Sequence, residues 1–149
     1  MYETITELKR VYKKIKPMIE EKLNTFKYQN KNSIKKEFIF CLLTPQSEAK
    51  KCWNAVLSLE KNKFPENKYE IINCIYAVRF KNKKADYIRE NYSKFDNIYN
   101  SLKKTKDIFQ LRNYLVKQVK GMGLKEASHF LRNIGKGGNI SILDRHILK

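Results

Sequence analysis

The sequence predicts an all-α fold that ends in a glycine-turn helical hairpin. Three observations carry that prediction. Apolar residues recur three and four positions apart along most of the chain, and strand-type alternation is weak. The first 120 residues contain no glycine, after which Gly121, Gly123, Gly135, Gly137 and Gly138 arrive together. Finally, 42% of the 149 residues are hydrophobic, enough for a real core in spite of a net charge of +17. One helical domain over residues 1–149 is expected, with no internal repeat.

Ile5, Leu8, Tyr12, Ile15 and Ile19 fall on one face of a first helix. Ile34 to Leu43 is a second helix, dense enough in apolar residues to be central to the core. In "LTPQSEAKKCWNAVLSL", Thr44 suits an N-cap and Pro45 a first helical turn, with Cys52, Trp53, Val56 and Leu57 as the inner face. Phe64-Pro65-Glu66-Asn67 breaks the chain before a helix marked by Tyr69, Ile72, Ile75 and Tyr76. Ala85, Ile88 and Tyr92 mark the next, after a basic break at Arg79–Lys84. Ile108, Leu111, Leu115 and Val119 carry a further helix into the glycines.

The charge narrows the function classes. With 32 Lys+Arg against 15 Asp+Glu, the chain suits a polyanionic partner, most often nucleic acid. No apolar run approaches the roughly 18–20 residues of a membrane helix, so no membrane partner is expected. The start, Met1-Tyr2-Glu3-Thr4, carries no signal-peptide core, which predicts a cytoplasmic protein, nucleoid-associated through DNA. Cys41, Cys52 and Cys74 are odd in number, sit in apolar segments and lack metal-ligand spacing. They read as buried free thiols, and no metal site is expected.

Gly121-Met122-Gly123 lies between two helical patterns, Asp107–Lys120 and Leu124–Ile134. Glycine permits a tight turn and lets another backbone approach. The following helix N-terminus offers amides and a positive dipole end to a phosphate, among Lys117, Lys120 and Lys125. An ordinary helix–helix turn is the bland alternative. The wider pattern is more specific: apolar Val119, Gly121, apolar Met122, Gly123, Lys125 and small Ala127, which allows close helix packing. It describes a helix-hairpin-helix over about residues 107–134 that holds a DNA phosphate.

"VKGMGLKEASHFLRNIG" followed by "ILDRHIL" resembles the helix-hairpin-helix DNA glycosylase superfamily. More narrowly it is similar to the archaeal-type 8-oxoguanine DNA glycosylase/AP lyases (the Ogg2 type), with "CLLTPQSEAKKCW" and "VRFKNKKADYI" in support. The resemblance implies base-excision repair of oxidised DNA, with double-stranded DNA carrying 8-oxoguanine or abasic sites as partner and the protein acting as a monomer. Lys125 stands beside the turn, where an amine can attack C1′ of a damaged nucleotide or simply pair with a phosphate. Attack needs the neutral amine, which partial burial and neighbouring cations favour. The resemblance implies the nucleophile's role for Lys125. It also implies that Asp144, at the end of a return loop over residues 135–144, stabilises positive charge on the sugar and aids proton transfer. Asp144 read alone is a natural N-cap that can also reach Lys125, a cap alone being the bland alternative.

His129, one turn beyond Lys125, is a candidate for the base pocket, and His146 reads as structural. A flipped base leaves a gap to fill. Gln46 in "LTPQS" is a candidate filler, against a helix-capping role. Arg79, Phe80 and Lys81 suit a wedge with phosphate contacts, against a core role for Phe80. Lys83 and Lys84 read as generic phosphate contacts or a solvated face, and Trp53 as core. No cofactor is expected, although the resemblance allows a monovalent cation on hairpin carbonyls such as those of Val119 and Met122. The family continues beyond the position of Lys149 with further helices, so the match implies a C-terminally truncated form. That leaves two alternatives: an AP lyase without base recognition, and a non-catalytic DNA-binding module.

Overall fold

The computed structural model describes residues 2–27 and 29–143, with side chains from residue 4 onward. The described residues form helices and no strands: α1 (Tyr2–Thr25), α2 (Lys31–Leu43), α3 (Ala49–Lys61), α4 (Lys68–Cys74), α5 (Lys81–Tyr92), α6 (Phe95–Lys104), α7 (Ile108–Gln118) and α8 (Leu124–Asn133). The all-α expectation holds. α2 is central as expected, packing against α3, α5 and α8, with Phe38, Ile39, Cys41, Leu42 and Leu43 buried. Side-chain caps fix several starts: the Ser33 amide donates to Asn30 Oδ1 at 2.8 Å, and the Phe109 and Gln110 amides to Asp107 Oδ1 at 2.9 Å.

Several element readings need correction. Thr44 closes α2 and does not open α3. Its amide donates to Phe40 O at 3.0 Å and its hydroxyl to Cys41 O at 3.1 Å, so the hydrogen-bond ladder of α2 runs through it. A turn then carries Pro45 and Gln46, and α3 begins at Ala49. The inner face of α3 is Cys52, Ala55, Val56 and Leu59, with Leu57 exposed. In α4, Ile71 and Cys74 face inward and Tyr69 is exposed; the helix stops at Cys74, with Ile75 as its buried C-cap and Tyr76 exposed beyond it. α6 was missed, although Phe95, Ile98 and Leu102 have helical spacing and are buried. α1 carries the predicted apolar stripe, but residues 4–25 are all exposed, Leu8 to 69%.

α8 ends in a Schellman motif. The Lys136 amide donates to Leu131 O at 2.8 Å and the Gly135 amide to Arg132 O at 3.0 Å. Gly135 holds φ +79°, and a Cβ there would lie 2.7 Å from Phe26 O. This reversal turns the chain back along α8, with Gly137 against Arg132 and Ile142 reaching a cavity beside α8.

Candidate active site

The predicted hairpin is present. α7 ends at Gln118, and the Met122 amide donates to Val119 O at 3.2 Å to close the turn. Val119 and Met122 are buried and anchor the turn to the core. Gly121 adopts φ +86°, and a Cβ there would lie 2.4 Å from Tyr87 Cδ2. The close neighbour that glycine admits is therefore an aromatic ring of α5 and not another backbone. Asn91, fully buried on α5, clamps the turn from both sides. Its Nδ2 donates to Lys120 O at 2.9 Å, and its Oδ1 accepts from the Lys120 amide at 3.2 Å. Lys120 also pairs with Glu90 at 2.9 Å.

Gly123 is the N-cap of α8, and its amide donates to Glu126 Oε2 at 3.1 Å. Glu126 thus occupies one of the amides that a phosphate would meet, and the next amides of the first turn remain the donors for an anion. Ala127 is fully buried, consistent with close packing of α8 on α7. Lys125 is exposed, in contrast to the partial burial expected for it.

Lys125 lines the rim of a cavity of about 650 Å³ between the end of α1, α2, α3 and α8, within the usual size of small-molecule sites. Its aromatic side is a T-shaped stack. Phe40 meets Trp53 at 5.5 Å and His129 at 5.8 Å, with ring planes 79° and 74° apart. Burial, with added repulsion from Arg132 and Lys125, pushes the His129 pKa down to about 4, so its ring is neutral at pH 7. Opposite, burial raises the Glu37 pKa even though Asn133 Nδ2 donates to its carboxylate at 2.8 Å. Asn133 is itself held by Arg132 at 2.9 Å and by Gln29, which donates to its carbonyl at 2.7 Å. Lys22, Lys50, Lys125 and Arg132 give the rim its positive charge. Ile142 also lines the cavity, while Asp144 and His146 lie outside the described residues.

Residues 15–149 match the sequence profile of the 8-oxoguanine DNA glycosylase family. A relative from Fusobacterium nucleatum, an 8-oxoguanine DNA glycosylase/AP lyase, is 40% identical over 163 residues, covering 99% of this chain and 73% of its own. The crystal structure of the 8-oxoguanine DNA glycosylase of Thermotoga maritima superposes with a TM-score of 0.86 at 33% identity, over 99% of this chain and 73% of that one. The Methanocaldococcus jannaschii enzyme in complex with DNA containing 8-oxoguanine gives 0.83 at 29% identity, over 97% and 72%. This chain belongs to the 8-oxoguanine DNA glycosylase family.

Two exposed turns of the glycosylase carry the remaining candidates. Gln46 has φ 54° and Phe80 φ 58°, the left-handed region that non-glycine residues occupy at a cost. Phe80 is 54% exposed, so it is no core aromatic, and Arg79 lies over its ring at 5.2 Å. Gln46 caps no helix. Lys81 is exposed at the start of α5. The turns are joined, because the Arg79 amide donates to Ser47 Oγ at 3.2 Å. Neither Gln46 nor Phe80 lines the cavity; its lining includes Thr44 and Ser47 from the first turn.

Sequence reasoning misjudged three residues. Lys84 is no solvated or phosphate-facing lysine: it is 4% exposed and its ammonium is spent on backbone and hydroxyl oxygens. Trp53 is half-buried at the cavity and not a closed core residue. Asn91 drew no notice, because an asparagine within a charged helix carries no sign of a partner 29 residues away. Among the described residues, no His, Cys, Asp and Glu groups gather at metal-binding spacing, and no helix is long and apolar enough to cross a membrane.

Proposed function

We propose that this glycosylase excises 8-oxoguanine from duplex DNA with Lys125 as nucleophile and cleaves the abasic strand that results. The supporting observation is the position of Lys125, between the glycine hairpin and the aromatic cavity. A phosphate held at the hairpin would set one nucleotide of the strand, and the flipped base would enter beside Phe40, Trp53 and His129. The Lys125 amine then attacks C1′, and the base departs with the C1′–N9 electrons and takes up a proton. Opening of the sugar leaves an imine between Lys125 and C1′. Loss of a C2′ proton expels the 3′-phosphate by β-elimination, and water hydrolyses the imine to regenerate the amine. Asp144 follows pocket-lining Ile142 by two positions, a reach of at most about 7 Å. We assign it stabilisation of the cationic sugar and proton transfer.

A monovalent cation at the hairpin would sit on carbonyls of Val119 and Met122. Val119 O accepts one hydrogen bond within the turn and keeps a second lone pair for such an ion. Bound there, the ion would add positive charge beside the phosphate.

Borohydride trapping tests the reading on two duplexes, one with 8-oxoguanine and one with an abasic site. The expected result is a covalent adduct on both, absent from Lys125→Gln. An adduct on the abasic duplex alone would identify a lyase that does not read the base. No adduct on either, with duplex binding intact, would reject the catalytic reading.

A further inference from the structure

We infer that Lys84 is a positioning residue that sets both duplex-opening turns of the glycosylase as one rigid unit. The inference rests on the assignment of Gln46 and Phe80 to those turns. The Lys84 ammonium has three donors, and each is used. It donates to Leu43 O at 2.6 Å, Pro45 O at 2.7 Å and Ser47 Oγ at 2.9 Å. Ser47 Oγ in turn accepts a second bond from the Arg79 amide at 3.2 Å, which ties the second turn to the first. The Lys84 ammonium therefore holds the residues on either side of Gln46, and Ser47 passes that hold to Arg79, which precedes Phe80; Gln46 and Phe80 are both strained positions on an exposed surface.

A buried ammonium without a carboxylate partner is costly, and the fold would be cheaper with an apolar side chain. What offsets the cost here is oriented carbonyl oxygen, including Leu43 O at the negative end of α2. Those acceptors lie at and beyond the end of α2, where the Gln46 turn departs, so the charge stabilises a turn geometry and not a helix interface. A turn fixed before DNA arrives can insert its side chain without first ordering itself.

The test separates opening of the duplex from chemistry. Lys84→Met and Ser47→Ala are compared with Gln46→Ala and Phe80→Ala on two substrates. One is duplex 8-oxoguanine with an adjacent 2-aminopurine, whose fluorescence reports unstacking. The other is a single-stranded abasic oligonucleotide, trapped by borohydride, which needs no opening. We expect Lys84→Met to lose the unstacking signal and up to about 100-fold in duplex kcat/KM, the scale of a misplacement of about 1 Å, while single-strand trapping is retained. Equal losses on both substrates would overturn the proposal, since Lys84 would then only support the fold. So would unchanged duplex excision. If Lys84→Met does not fold, Ser47→Ala removes the acceptor shared by the Lys84 ammonium and the Arg79 amide without removing the charge. Because Ser47 also lines the cavity, this variant is read from the unstacking signal alone, and an unchanged signal would overturn the proposal. If Gln46→Ala and Phe80→Ala are both silent while Lys84→Met is not, the assignment of the turns fails, and the positioning role with it.

Discussion

His129 shows how the cavity sets the state of a single side chain. Its pKa falls to about 4 from an ordinary 6.5 because burial and two neighbouring cations disfavour the imidazolium. Below pH 6.5 the unfolded chain takes up a proton that the folded chain refuses. The stability that His129 contributes is therefore complete above pH 6.5 and is lost as the pH falls toward 4. Glu37 acts with the opposite sign, because its raised pKa favours the folded state as the pH falls toward its ordinary 4.5. Denaturant midpoints of the wild type and His129→Phe between pH 7 and pH 4 should separate the two, with the variant losing the histidine's part of the slope. The place of Lys125 was legible at this scale because it is local: it follows a glycine turn at the start of a helix. Lys84 and Asn91 were not, because their partners lie 41 and 29 residues away, and no local pattern records such a bond.

Among the elements, the hairpin depends on two separate demands at Gly121. Its φ of +86° disfavours any side chain, and the Tyr87 ring occupies the place of a Cβ. Gly121→Ala should cost about 1–3 kcal/mol, read from the denaturant midpoint. Tyr87→Ala in the same background should restore only the steric part, so a double-mutant cycle divides clash from backbone strain. The hairpin was readable from sequence because glycine and apolar spacing are both local signals. The Thr44 boundary was not. Threonine before proline suits a helix start, yet here the threonine hydroxyl bonds back to Cys41 O and the proline opens a turn. α6 slipped past because its apolar positions, Phe95, Ile98 and Leu102, are few and lie among polar residues.

Taken whole, the molecule has an apolar core built on α2 and a surface dominated by lysine, with a net charge of +17. Duplex affinity should therefore fall linearly with salt on logarithmic axes, by about 0.9 for each phosphate contacted. Lys117→Gln, at the hairpin approach, should make that slope shallower by about 1, measured by titration at several salt concentrations. Fold class and the glycine hairpin were legible from sequence because periodicity and the hairpin pattern survive without three-dimensional context. The cavity was not, since Glu37, Phe40, Trp53, His129 and Asn133 meet only when α2, α3 and α8 pack together.

The three cysteines have a consequence for where such an enzyme can work. Cys41, Cys52 and Cys74 are all buried, and burial pushes the thiols of Cys41 and Cys52 up from their ordinary range. The thiolate is the form that peroxide attacks, so these sulfurs resist conversion to sulfenic acid. Oxidants that turn guanine into the lesion would find little to react with in the protein's cysteine thiols, so thiol oxidation would not disable repair under the stress that creates the demand for it.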